Sequence, residues 1–115
     1  MKDDTVYLQH ILDAIEKINS YAAVGKETFM TTTHWQDAII RNMEIIGEAT
    51  KRLSDALKQS NPEIRWRNIA GLRDVLIHDY MGVDLEVIWN VIVRDLPELK
   101  KNILEYHLPK SSQSL

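Results

Sequence analysis

The segment Gly71-Leu-Arg-Asp-Val-Leu-Ile-His-Asp-Tyr80 gathers an arginine, two aspartates, a histidine and a tyrosine in one short stretch of the chain. That mixture has a chemical use. Imidazole takes or gives a proton near neutral pH, and a guanidinium holds phosphate oxygens with a planar fork of donors. Cleaving RNA through its own 2′-hydroxyl needs three things: a proton acceptor, a proton donor for the departing 5′-oxygen, and positive charge beside the crowded phosphorane. Arg73, Asp74, His78 and Tyr80 are therefore the candidates for chemistry in this chain.

Helix geometry assigns them roles. On a helix turning about 100° per residue, Asp74 and His78 lie about 40° apart, so Asp74 can orient the imidazole and stabilise its charged form. Arg73 and Tyr80 fall within about 20° of each other and share a face. Arg73 and His78 diverge by about 140°, and a single straight helix cannot easily aim both at one phosphate. Either the helix unwinds near His78, or two copies of it face each other across a two-fold axis, so that Arg from one chain approaches His from the other. A composite site in a homodimer is the expected arrangement. The same residues also have an ordinary reading, since a histidine in a last helical turn and an aspartate four residues earlier form a common stabilising pair.

The elements that must position this segment read as helices throughout. Leu8, Ile11, Leu12, Ile15, Ile18 and Ala22 recur at three- and four-residue steps, which predicts a first helix over about 4–24, ended by Gly25. The following KETFMTTT reads as a connection. Thr33 and Gln36 then have the spacing of a capping box, opening a long second helix that reaches about residue 59 on the stripe Trp35, Ala38, Ile39, Met43, Ile46, Ala49, Leu53 and Leu57. Asn61-Pro62 marks a break, with Asn61 able to cap a new turn. A third helix spans about 66–79, its buried side Ile69, Leu72, Val75 and Leu76, and Gly82 closes it. Asp84 caps a fourth, with Val83 and Ile88 placed as a hydrophobic staple; this helix runs to about residue 106 and should kink or split at Pro97. The fold class that follows is all-α, an antiparallel bundle of four to five helices over residues 1–106, with 107–115 as a polar, frayed tail.

Composition narrows the function classes. The 115 residues carry 44% apolar and 27% charged side chains, with four Gly and three Pro, an ordinary globular balance. Without cysteine there is no disulfide framework and no thiolate metal site, which fits a reducing cytoplasm. The start MKDDTVYLQH has no basic stretch leading into an apolar run, and no membrane-spanning segment is expected. His10, His34, His78 and His107 are too widely spaced for a recognisable ligand pattern, and there is no glycine-rich phosphate loop, so neither metal nor cofactor is expected. The net charge of -3 argues against coating nucleic acid by bulk electrostatics. Residues 41–73, however, hold seven Lys and Arg against four Asp and Glu. Arg65 and Arg67, within that basic stretch, are candidates to guide an RNA strand, while Trp66 between them could stack on a base or simply pack.

Arg73-x4-His78-x-Tyr80 resembles the signature of the HEPN domain (higher eukaryote and prokaryote nucleotide-binding), and within it the HepT-like toxin branch. Six Arg, four His and four Tyr in 115 residues would produce such a match by chance only about 0.007 times. The resemblance continues through Arg41-Asn-Met-Glu-Ile-Ile-Gly-Glu-Ala49, Trp66-Arg-Asn-Ile-Ala-Gly71, Asp84-Leu-Glu-Val-Ile-Trp89 and Leu96-Pro-Glu-Leu99, covering about residues 5–106. It implies a homodimeric helical bundle acting as a metal-independent RNA endonuclease, the toxin of a toxin-antitoxin pair. Arg73 and His78 match the catalytic positions and Asp74 the polar position beside the arginine. The implied partner is a minimal nucleotidyltransferase (MNT) antitoxin that silences the toxin by transferring AMP to the motif tyrosine, here Tyr80. An AMP group there would place a phosphate charge and a bulky adenosine on the helix face of Arg73, where they would repel or block an RNA backbone. The resemblance also admits a noncatalytic role, a nucleotide- or substrate-binding subunit of a nucleotidyltransferase complex.

Overall fold

The computed structural model describes residues 3–72 and 84–106. Asp3 opens α1 (Asp4–Ala22) by accepting the Val6 N–H at 3.4 Å, and the expected stripe of Leu8, Ile11, Leu12, Ile15 and Ile18 is buried along one face. The helix closes two residues before its expected end. Gly25 then turns the chain at φ 96°, ψ 158°, a region that only glycine occupies without strain.

The connection expected after Gly25 is instead a helix, α2 (Lys26–Thr31). Phe29 is its one fully buried residue, Met30 is half-buried against the core and the rest face water, and so it leaves no periodic signal. Thr32 breaks it with an extended backbone and serves as N-cap of α3 (Thr33–Lys51) without a side-chain capping bond. The expected capping box does not form, because Gln36 Nε2 donates to the Phe29 carbonyl at 2.9 Å and ties α3 to α2 instead.

The long second helix of the sequence reading is two helices. α3 ends at Lys51 and α4 (Asp55–Ser60) begins after Ser54. Ser54 makes the break. Its Oγ accepts the Leu57 N–H at 3.1 Å, while its own N–H and hydroxyl donate to the Asp4 carboxylate at 2.8 and 2.6 Å. A cap and a charged acceptor together outcompete helix continuation. Asn61 does interrupt the chain, but it closes α4 rather than opening the next turn, its Nδ2 donating to the Leu57 carbonyl at 3.0 Å. Its own carbonyl accepts the indole N–H of Trp66 at 3.1 Å, which fixes the start of α5 (Trp66–Ala70).

Asp84 caps α6 (Leu85–Asn90) as expected, accepting from the Glu86 and Val87 N–H groups at 3.0 and 3.3 Å, and Ile88 is buried. The helix expected over 66–79 instead closes at Ala70, where the Gly71 N–H caps it by donating to the Arg67 and Ile69 carbonyls, and the chain after Leu72 lies outside the described residues, as do Val83, the expected staple partner, and the tail at 107–115. A π-helical turn over Val91–Asp95 leads into α7 (Leu96–Tyr106). Pro97 explains it. Proline brings no N–H for the Val93 carbonyl and crowds it, and the wider turn, in which the Leu96 N–H donates to the Val91 carbonyl, accommodates the defect without ending the helix.

These elements pack as an all-helical antiparallel bundle. α1 and α3 run in opposite directions, with Asp4 meeting Ser54 at one end and Tyr21 against Trp35, ring centroids 6.1 Å apart, at the other. α7 lies against α1, where Lys100 pairs with Glu16, and Leu96, Leu99 and Ile103 complete the core. α6 meets α2 through Phe29 and Trp89, 5.4 Å between rings, and the Lys26–Glu86 pair at 2.9 Å. Among the described residues no helix is long and apolar enough to cross a membrane.

Candidate functional site

Arg73, Asp74, His78 and Tyr80 lie outside the described residues, which include the elements leading into and out of that segment. On the entry side, Trp66 is only 7% exposed and hydrogen-bonded through its indole, so it packs rather than presenting a stacking surface. The chain then passes through Gly71 and the half-buried Leu72 into the motif. On the exit side, the doubly used Asp84 carboxylate and buried Ile88 fix where the chain returns to the bundle. Both flanks are held by packing and capping, as a site on a short segment requires.

Arg65 and Arg67 are both exposed but do different things. Arg65, the N-cap of α5, lines a cavity of about 420 Å³ between α5 and the π turn with α7; Arg67 does not. Two residues apart on a helix, they point to opposite sides. Ile69, Leu72, Val91 and Leu99 contribute apolar wall to this cavity, and Asn68, Asp95, Glu98 and Asn102 contribute polar wall. Arg65, Asn68, Asp95, Glu98 and Asn102 make no side-chain hydrogen bond or ion pair among the described residues.

A second concavity of about 530 Å³ lies between α1 and α3, where Arg41, Glu44, Glu48 and Arg52 face Tyr7 and His10. The Tyr7 and His10 rings stand edge to face with their centroids 6.0 Å apart. Its charges are mixed, two arginines flanking two glutamates along α3 and its C-cap. The basic excess of residues 41–73 is thus divided, with Arg41 and Arg52 in this groove and Arg65 in the other cavity. Among the described residues no three His, Cys, Asp or Glu side chains gather as they would about a metal ion.

Asp95, Glu98 and Asn102 were not singled out from the sequence. The available signal was their spacing of three and four, which places them on one helix face, but it resembles any solvated stripe until the opposing α5 is seen.

Comparison with known proteins gives a consistent result. The family model described as "Ribonuclease HepT-like" matches residues 11–106, a span that includes the whole of the Arg73 to Tyr80 motif. A probable ribonuclease HepT of Thermococcus cleftensis is 44% identical over 95 residues, covering 82% of this chain and 86% of that protein. A candidate RNase of Caldanaerobacter subterraneus subsp. tengcongensis is 39% identical over 106 residues, 91% of this chain and 95% of its own length. A Methanocaldococcus jannaschii protein, named as a gamma-glutamylcyclotransferase and candidate RNase, is 45% identical over 105 residues; the match covers 90% of this chain but 47% of that protein. No solved structure matches.

Proposed function

The chain belongs to the HepT-like ribonuclease family, and from that premise we propose that it is a metal-independent RNA endonuclease and the toxin of a toxin-antitoxin pair. The observation that carries the reading is the match across residues 11–106, within which Arg73-x4-His78-x-Tyr80 stands complete. In the proposed reaction His78 exchanges the proton. The 2′-oxygen of the RNA attacks the adjacent phosphorus as its proton is removed, the bond from phosphorus to the 5′-oxygen breaks, and that oxygen receives a proton as it leaves. Arg73 holds the phosphate and offsets the charge of the phosphorane, and Asp74 orients His78. No metal or cofactor takes part.

Because Arg73 and His78 diverge on an ideal helix, the active unit is a homodimer in which each chain supplies part of a cleft. Tyr80 is the control point. A minimal nucleotidyltransferase antitoxin transfers AMP to its phenolic oxygen, with pyrophosphate leaving from ATP, and the added charge and bulk close the Arg73 face to RNA.

The test is expression and purification. Wild-type protein should arrest growth and its purified form should cut RNA in the presence of a chelator, and His78→Ala or Arg73→Ala should abolish both while leaving the helical spectrum intact. Wild-type protein that binds RNA or nucleotide but never cuts it would instead favour the noncatalytic subunit role. Incubation with the partner antitoxin and ATP should raise the intact mass by whole AMP units, and Tyr80→Phe should prevent the rise.

A further inference from the structure

We propose that the cavity between α5 and α7 is a nucleobase pocket that selects a base bearing an exocyclic amine, and so sets which position of an RNA is cut. The proposal rests on the ribonuclease reading for its biological use, but the pocket itself can be tested without cleavage.

Its shape and lining fit a base. Ile69, Leu72 and Leu99 provide apolar surface against which a planar ring can leave water, and the volume of about 420 Å³ lies within the range of small-ligand sites. Around that floor stand groups of both hydrogen-bonding senses. Asn68 and Asn102 each donate and accept, Arg65 donates only, and the Asp95 and Glu98 carboxylates accept only. None is committed to a partner among the described residues, so a ligand edge would displace water rather than break a bond within the protein.

Charge separates the base from the rest of the nucleotide. Glu63, Asp95 and Glu98 outnumber Arg65, so the cavity repels a phosphate and attracts N–H donors. A phosphate attached to a base seated there must point away from the carboxylates.

The same lining sets the selectivity. Carboxylates accept from the amine of cytosine or adenine and from the amine and ring N–H of guanine, while Arg65 can donate to a ring carbonyl or nitrogen. Uracil offers one ring N–H flanked by two carbonyls, which a carboxylate pair opposes. The π turn contributes directly, since it brings Val91 and Asp95 to the cavity wall, and such turns recur at functional sites.

Two measurements on the full-length protein decide it. Sequencing the ends produced by wild-type protein should show cuts next to amine-bearing bases, and Asp95→Asn with Glu98→Gln should reduce the discrimination against uracil about tenfold. Both side chains are exposed and unpaired among the described residues, so the variant should melt with the wild type. In parallel, CMP, AMP, GMP and UMP are titrated into His78→Ala protein while the backbone amides of Asn68 and Asn102 are followed by NMR. The first three should shift those amides at lower concentration than UMP, and the double variant should lose the difference. Unchanged cut preference in the double variant, or amides that respond equally to all four nucleotides or to none, overturns the pocket. If wild-type protein cuts no RNA yet the amides respond selectively, the ribonuclease reading fails and the pocket stands.

Discussion

The α1–α3 pair and the α5–α7 side are built from the same kinds of residues to opposite ends. Along the first, Ile11, Ile15 and Ile18 face Ile39, Met43 and Ile46, all fully buried, and hydrogen bonds or ring contacts tie both ends. Along the second, α5 is a single short turn, α7 is entered through a π turn, and polar side chains stand about a cavity without partners among the described residues. Close packing leaves nothing free to bind between these apolar faces, the charged groove of Arg41, Glu44, Glu48 and Arg52 lying beside them, and free polar groups contribute little to holding a fold. The difference sets a packed core against the proposed recognition surface, a division that substitutions can confirm or break.

The largest expected effect is on the rate alone. His78→Ala should lower RNA cleavage by about 10²- to 10⁴-fold with the thermal transition unchanged, and a transition that fell with it would return His78 to the scaffold. Ile15→Ala is the mirror image. It should cost about 2–5 kcal/mol in denaturant unfolding while leaving the pattern of RNA ends from the remaining folded protein as it was. Ser54→Ala should cost about 1–2 kcal/mol by the same measurement, because it removes both the α4 cap and the hydroxyl held by Asp4. Smallest is Lys26→Ala, which opens an exposed ion pair with Glu86 and should stay below about 1 kcal/mol, shrinking further in high salt.

What could be read in the sequence follows the same division. The stripe of α1 and the Asp84 cap are local patterns, and both appear where the spacing placed them. The break at Ser54 was hidden because its cause is Asp4, fifty residues earlier, while the apolar period runs through Leu53 and Leu57 undisturbed. α2 was hidden because one buried Phe29 makes no period. Trp66 between two arginines was open to either stacking or packing, and its contact with Asn61 decides for packing. In the motif, residue types and spacing are themselves the signal, so Arg73, Asp74, His78 and Tyr80 were visible as candidates. The cavity was not, because its walls come from Glu63 to Leu72 and from Val91 to Asn102, which only folding brings together.

The π turn before Pro97 has a consequence for how this chain can change in length. It holds one residue more than an α-helical turn would, and the wider turn absorbs that surplus within itself. Deleting a single residue from Val91–Asp95 would let the turn close to α geometry and leave the bearing of α7 nearly unchanged, with Leu99 and Ile103 still in the core and Lys100 still near Glu16. A deletion just after Pro97, where no surplus remains, would instead rotate the rest of α7 by about 100° and draw it back by about 1.5 Å. The chain can lose a residue before its proline but not after it.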